Sequence, residues 1–185
     1  FDTIAGVDYW YRIPNALENE GATVFVPKIN AFDSSAMRGE RLIQQLDAIR
    51  AASNGAITRF NLIGHSQGGV TSRYVMNVRP DLVASVTTLH SPHKGSPLAD
   101  VVTGVAPEGS LTGISFEALA NTVGNLVNLL SANKADRSDI YAMLAEFNKP
   151  GAAAFNSLFP AGLPASECGQ GPSSVNLGGH AIRLY

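Results

Sequence analysis

Apolar positions along this chain change their period repeatedly, and each change marks an element. VDYWYRI lies between Gly6 and Pro14; Pro14 suits a helix first turn, ALENEG continues it and Gly21 stops it. ATVFVPKI then alternates and is rich in β-branched residues, which predicts a strand as far as Pro27. Asp33, Ser34 and Ser35 offer N-cap oxygens ahead of MRGERLIQQLDAIRAAS. There Leu42, Ile43, Leu46 and Ile49 recur at helical spacing until Asn54-Gly55. ITRFNLIG reads as a short apolar strand running into a glycine, VTSRYVMNVRP as a helix closed by Pro80, and LVASVTTLH as another buried strand. SPHKGSPLAD follows as a loop. Strand, helix, strand, helix, strand predicts an α/β fold with parallel strands, right-handed crossovers and helices on both faces.

From about Gly109 the pattern shifts. LTGISFEALANTVGNLVNLLSANKADRSDIYAMLAEFN reads as two helical stretches with no strand between them, an insertion above a sheet over about 109–148. Phe116, Leu119, Val123, Leu126, Val127 and Leu130 repeat at three-to-four spacing, with Asn121, Asn125 and Asn128 between them. A half-apolar helix of this kind suits a core position, or a cover that turns its apolar face to a lipid surface. GLPASECGQGPSS reads as surface loop, and HAIRLY opens a further strand.

Composition narrows the class without naming it. At 185 residues, 45% hydrophobic and 15% charged, the chain suits one globular domain. A formal net charge of −2 has no basic surplus and argues against a nucleic-acid partner. No run reaches the roughly 18 to 20 apolar residues that span a bilayer. FDTIAGVDYWYRIP lacks the basic start and apolar stretch of a signal peptide, and the chain reads as starting inside a domain. Cys168 is the single cysteine: a free thiol, or half of a disulfide whose partner lies beyond residue 185.

The informative segment is RFNLIGHSQGG. Gly64-x-Ser66-x-Gly68 follows an apolar strand and precedes a helix, and that context separates a nucleophile elbow from a chance match. A serine at a tight strand-to-helix turn projects its hydroxyl above the sheet edge, and side chains two before and two after are expected to collide across the turn. The helix start adds free N–H groups and a positive dipole end. Ser66 is therefore the expected nucleophile, and the Gln67 backbone N–H the expected donor to an oxyanion. A glycine-rich turn with Ser66 as a simple cap is the bland alternative; no phosphate-binding glycine motif is present.

A serine nucleophile needs a general base, and the base an orienting carboxylate, in the chain order Ser, acid, His for α/β-hydrolases. His90 and His93 follow the very next strand, too early for the base, and suit structural roles. His180 precedes a strand rather than following one. Asp81 caps a turn, and Asp136 and Asp139 lie in the insertion. The acid and base are thus expected outside this chain, unless the scaffold is a degenerate hydrolase.

The stretches AGVDYWYRIPNALENEGATVFV, SSAMRGERLIQQL, FNLIGHSQGGVTSRYV, RPDLVASVTTLHSPHKGSPLAD and FNSLFPAGLPASECGQG resemble the bacterial family I true lipases. These are secreted triacylglycerol lipases of the Pseudomonas and Burkholderia type. The resemblance runs the whole length, and GHSQGG followed by PHKGS is its most specific part. It implies that residues 1–185 are a partial α/β-hydrolase catalytic domain with Ser66 as nucleophile, Gln67 as one oxyanion donor and a lid over about 109–148. It further implies that the second oxyanion donor lies in an HG motif just upstream, and that the catalytic Asp, the catalytic His and the ligands of a structural Ca²⁺ lie downstream. Arg38 matches an arginine that supports the oxyanion loop, although by position alone it is an exposed helix-start arginine. Cys168 matches a half-cystine of part of the family. Secretion and a dedicated foldase chaperone are implied too. The competing readings are an esterase or thioesterase on soluble substrates and a non-enzymatic α/β binding module.

Overall fold

Capping and turn residues decide where the elements begin and end. The structure, a computed structural model, describes residues 3–4, 7–30, 33–105, 140–166 and 168–185. Thr3–Ile4 (β1) and Val7–Asp8 (β2) pair antiparallel. Ile13–Asn19 (α1) carries Pro14 in its first turn, and the chain leaves it through Gly21 at φ +90°. Ser35–Ala52 (α2) starts on Ser34, whose Oγ accepts from the Met37 N–H at 3.2 Å. Asn54 and Gly55, both at positive φ, turn the chain after it. These are the boundaries that the proline, serine and glycine positions predict.

Phe60–His65 (β3), Gln67–Val78 (α3) and Val83–Leu89 (β4) follow, with β3 and β4 paired in parallel from Phe60↔Val83 to His65↔Leu89. Beyond them come Pro97–Val102 (α4), Ile140–Phe147 (α5), Lys149–Leu158 (α6), Ser174–Leu177 (β5) and His180–Leu184 (β6). The sheet order is β3-β4-β6-β5, with β6 parallel to β4 and β5 antiparallel to β6. Among the described residues no helix is long and apolar enough to cross a membrane. The expected lid over 109–148 lies outside the described residues as far as 139; its last part is α5.

The core forms where α3 lies on the sheet. Val75, Met76, Leu82, Val83 and Ile182 are fully buried, with Leu62, Val70 and Val86 beside them. Leu42, Ile43 and Leu46, three of the residues whose spacing predicts α2, complete it from the α2 side. Gly39 admits the Tyr74 ring: a Cβ there would sit 2.2 Å from Tyr74 Cδ1. Along β3, Phe60, Leu62 and Gly64 are buried while Asn61, Ile63 and His65 are exposed, the period of two that a strand dictates.

Two expectations need correction, and one strand is added. ATVFVPKI is not a strand: among the described residues nothing pairs with it, and Phe25 and Val26 are exposed. The Ala22 N–H donates to the Leu17 carbonyl at 3.0 Å, and the Gln45 side-chain amide donates to the Lys28 carbonyl at 2.8 Å. Alternation shows how a segment suits a sheet, but a ladder partner makes it a strand. SPHKGSPLAD is only partly loop, because Pro97 opens α4 at the position where a missing N–H costs nothing. GLPASECGQGPSS is loop among its described residues as far as Ser174, where β5 begins, a strand the pattern does not predict; Gly178 and Gly179, at φ +55° and +84°, join it to β6. That Gly-Gly pair between alternating residues is a two-residue hairpin signature.

The edge of the sheet where the strands begin is tied by charge. Arg59, just before β3, donates to the carbonyls of Val83 at 3.0 Å and Ala181 at 2.7 Å, bridging three strands. Arg79, at the end of α3, pairs with Asp47 on α2 and with Asp81, each at 2.8 Å, and Arg50 reaches Asp81 at 3.0 Å. Hydrogen bonds from Arg79 and then Arg50 hold the Asp81 carboxyl well below the usual carboxylate range. A folded-state value below the unfolded one, about 3.9, means stability that is complete above that pH and is lost as pH falls below it. Because these side chains are about a third exposed, solvent screening limits the effect. Asp81→Asn is expected to destabilise the protein by roughly 1 kcal/mol at pH 7, with a smaller deficit at pH 3. Denaturant unfolding at the two pH values checks this; an equal deficit at both overturns it.

Candidate active site

The end of β3 and the first turn of α3 touch backbone to backbone. A Cβ on Gly64 would lie 2.4 Å from the Gly68 carbonyl and 2.5 Å from the Gly69 nitrogen. Only a hydrogen at that position allows so close an approach. Between them Ser66 takes φ +53°, ψ −125°, a conformation that costs a non-glycine residue on the order of 1–3 kcal/mol. It is held there by its N–H, which donates to the Leu89 carbonyl at 2.9 Å, and by its carbonyl, which accepts from Gly69 at 3.1 Å. Ser66 is exposed at the carboxyl end of the sheet.

The second glycine of the motif behaves differently from the expectation. A Cβ on Gly68 would meet nothing within 4 Å among the described residues. The tight position is Gly69, where a Cβ would lie 2.0 Å from Ser91 Oγ. The turn is therefore asymmetric: the strand side needs Gly64, and on the helix side the contact falls on the backbone of Gly68 rather than its missing side chain.

Gln67 is the first residue of α3 and is buried. As a first-turn group its N–H has no intrahelical acceptor, and no other acceptor takes it among the described residues. Its side chain runs inward, where Nε2 donates to the Asp33 carbonyl at 2.6 Å. Arg38 is buried too, which corrects the exposed position expected of a helix-start arginine. Its Nη1 donates to the Asn30 carbonyl and its Nε reaches Thr71 Oγ1 at 3.4 Å. Arg38 thus ties α3 to the segment that enters α2, a long-range contact that a local pattern cannot reveal.

The histidines separate clearly. His65, beside Ser66, pairs through Nδ1 with the Tyr9 hydroxyl, and its ring lies 6.2 Å from that of His90. Burial pushes the Tyr9 hydroxyl up, against the opposing pull of Arg38. His93 is pushed down to about 4 by burial and then by Arg73, so it is neutral near pH 7. Its carbonyl accepts from Asn156 Nδ2 at 2.8 Å. His180 starts β6, and since β6 is parallel to β4, which is parallel to β3, it lies at the sheet end opposite Ser66. Asp81, at the start of β4, is at that far end as well. Among the described residues no side chain hydrogen-bonds the Ser66 hydroxyl. Asp136 and Asp139 lie outside the described residues.

Cys168 is exposed, and residues 1–185 hold no second cysteine to pair with it. Among the described residues no three His, Cys, Asp or Glu side chains are grouped as metal ligands. Sequence reasoning missed Tyr9 beside His65 and the inward-turned Gln67 carboxamide. Neither carries a local signal, since each depends on a partner 56 or 34 positions away. The asymmetry of the turn is directly testable. Gly64→Ala is expected to cost about 1–3 kcal/mol through backbone overlap, and Gly68→Ala to be neutral or stabilising by up to about 1 kcal/mol. Unfolding of the two variants decides it; equal destabilisation would contradict the geometry.

Comparison with known proteins places this arrangement. The model of the alpha/beta hydrolase fold family matches residues 4–162. The triacylglycerol lipase of Vibrio cholerae is 46% identical over 185 residues, covering 100% of this chain and 57% of that protein. Those of Pseudarthrobacter phenanthrenivorans and Burkholderia plantarii are each 41% identical over 97% of this chain, and the chain covers 57% and 51% of them. The chain thus spans about half the length of the curated relatives it matches. With a parallel βαβ unit, a serine at its strand-to-helix turn and a family match over most of its length, the chain belongs to the alpha/beta hydrolase fold family.

Proposed function

We propose that the full-length protein is a serine ester hydrolase, a triacylglycerol lipase acting through an acyl-enzyme on Ser66. The observation that carries the proposal is the elbow: an exposed serine at φ +53° followed by a backbone N–H with no acceptor among the described residues. The likeness to relatives named triacylglycerol lipase supports the choice of substrate.

In this mechanism Ser66 Oγ attacks the ester carbonyl and gives its proton to a base. The carbonyl π pair moves onto oxygen, and the Gln67 N–H donates to that oxyanion. Collapse expels the alkoxide, which takes the proton and leaves as alcohol. Water then repeats the sequence on the acyl-enzyme and releases the fatty acid. The base, its carboxylate and the second oxyanion donor belong, in this proposal, to parts of the protein outside residues 1–185. The sequence resemblance extends the reading to a secreted enzyme with a dedicated foldase partner, structural calcium bound by residues outside this chain, and a cover within residues 109–148.

Ser66→Ala in the full-length protein is expected to lower kcat by about 10³-fold or more on emulsified triglyceride. Retention of most of the hydrolysis would overturn the assignment of Ser66. For the lipase reading, the rate on a short-chain triglyceride is expected to rise as its concentration passes the solubility limit. A rate that saturates below that limit would place the protein among esterases of soluble substrates.

A further inference from the structure

Gln67 enters the proposed mechanism only through its backbone, yet its side chain is buried and hydrogen-bonded. It is buried, its Nε2 donates to the Asp33 carbonyl at 2.6 Å, and its Oε1 is buried with no partner among the described residues. A buried carboxamide that leaves one polar atom unsatisfied accepts a cost. The bond to Asp33 is what the side chain gains in return.

The position of Gln67 explains what that bond can do. It is the first residue of α3, so no intrahelical bond from its own N–H fixes the peptide joining it to Ser66. Ser66 is strained, and the same peptide would rotate if the strain relaxed, swinging the Gln67 N–H away from its present direction. Three restraints oppose that rotation. The Ser66 carbonyl, part of the same peptide, accepts from the Gly69 N–H at 3.1 Å, the Gln67 carbonyl accepts from Thr71 Oγ1 at 2.9 Å, and the side chain is moored to Asp33. The mooring is rigid: Asp33 is itself buried, with its Oδ2 accepting from Asn30 Nδ2 at 2.9 Å and facing Arg41 Nη1 at 3.6 Å.

We infer that the Gln67 carboxamide is a positioning group: by binding the Asp33 carbonyl it holds the Ser66–Gln67 peptide so that its N–H points where a tetrahedral oxyanion forms. The inference rests on the hydrolase reading above. An oxyanion donor contributes about 10²- to 10³-fold to kcat when aligned, and ester ground-state binding uses it far less. Loss of alignment therefore lowers kcat and leaves KM nearly unchanged.

The test is Gln67→Met in the full-length protein, which keeps the length and removes the donor. With active sites counted by a fluorophosphonate, kcat per site is expected to fall about 10- to 100-fold with KM within about twofold. A boronic acid, which forms a charged tetrahedral adduct on the serine, is expected to bind more weakly by a similar factor. Unchanged kcat per site and unchanged boronate binding, with only a lower Tm, would make the carboxamide a packing group and overturn the inference. Should the methionine variant not fold, Gln67→Glu replaces it. The protonated acid can donate to the Asp33 carbonyl and the carboxylate cannot, so its kcat relative to the parent is expected to fall as pH rises. A ratio independent of pH overturns the inference. The two proposals fail separately: hydrolysis retained by Ser66→Ala removes the hydrolase reading, whereas inactive Ser66→Ala with unimpaired Gln67→Met removes only the positioning role.

Discussion

The rest of the site depends on one close approach, that of the end of β3 to the first turn of α3. With no Cβ on Gly64, the strand can run up against the backbone of Gly68 and Gly69, and the chain reverses between them at Ser66. The positive φ of Ser66 is a consequence of the contact. The strain persists because the surroundings fix both sides of the turn. On one side Ser66 is bonded to the end of β4; on the other α3 is locked by fully buried Val75 and Met76. A residue held in a sparsely populated conformation by a packed core is what a preorganised nucleophile requires.

Polar groups buried around α3 extend that rigidity to the surrounding segments. Arg73, pushed down to about 10 by burial and therefore still charged near neutrality, donates to the Phe159 carbonyl at 2.9 Å and to Asn156 Oδ1 at 2.5 Å. Its guanidinium also lies 5.2 Å from the Phe155 ring centre. Asn156 in turn reaches the His93 carbonyl, so one arginine fixes α6 and the loop after β4 to α3, the helix that follows Ser66. Glu146 does the same between α5 and α2: both its oxygens accept from the Ser35 N–H, at 3.1 and 2.8 Å, at the positive end of α2. Burial raises its carboxyl, while the bond to Ser35 and the charges of Arg38 and Arg73 oppose the rise. Each such group joins elements far apart in sequence, and leaving either partner unmatched in the interior is costly.

Legibility in the sequence followed the range of the interaction. The elbow, the caps of α2 and the parallel βαβ unit were readable because glycine, serine and period-two signals act over a few residues. The role of Gly68 was misread because the motif marks a turn without saying which glycine bears the contact. Gly178-Gly179 was a readable hairpin signal that the surrounding loop composition obscured. ATVFVPKI had the right alternation but, among the described residues, no ladder to join. Arg38 is singled out by the family resemblance alone, and its burial, like the partner of the Gln67 side chain, lies beyond local pattern, since contacts at 33 or 34 positions' remove are properties of the fold.

The sheet also shows a division of labour between its two ends. At the amino ends of β3, β4 and β6, Arg59 spans three strands, and the Arg79, Arg50, Asp47 and Asp81 network fastens α2 to the entrance of β4. Charge there satisfies charge, and the backbone is bound. At the carboxyl ends the balance reverses: Ser66 and His90 have positive φ, the Gln67 N–H has no acceptor among the described residues, and His65 and Leu89 are exposed. Strain and an unpaired donor thus collect at one end of the sheet while the other is tied by charge. A parallel sheet makes this separation natural, since all three strands deliver the same end to the same edge, where ligands of open α/β sheets bind. Ser66 thus stands, by location as well as by conformation, where the fold leaves hydrogen-bonding capacity unused.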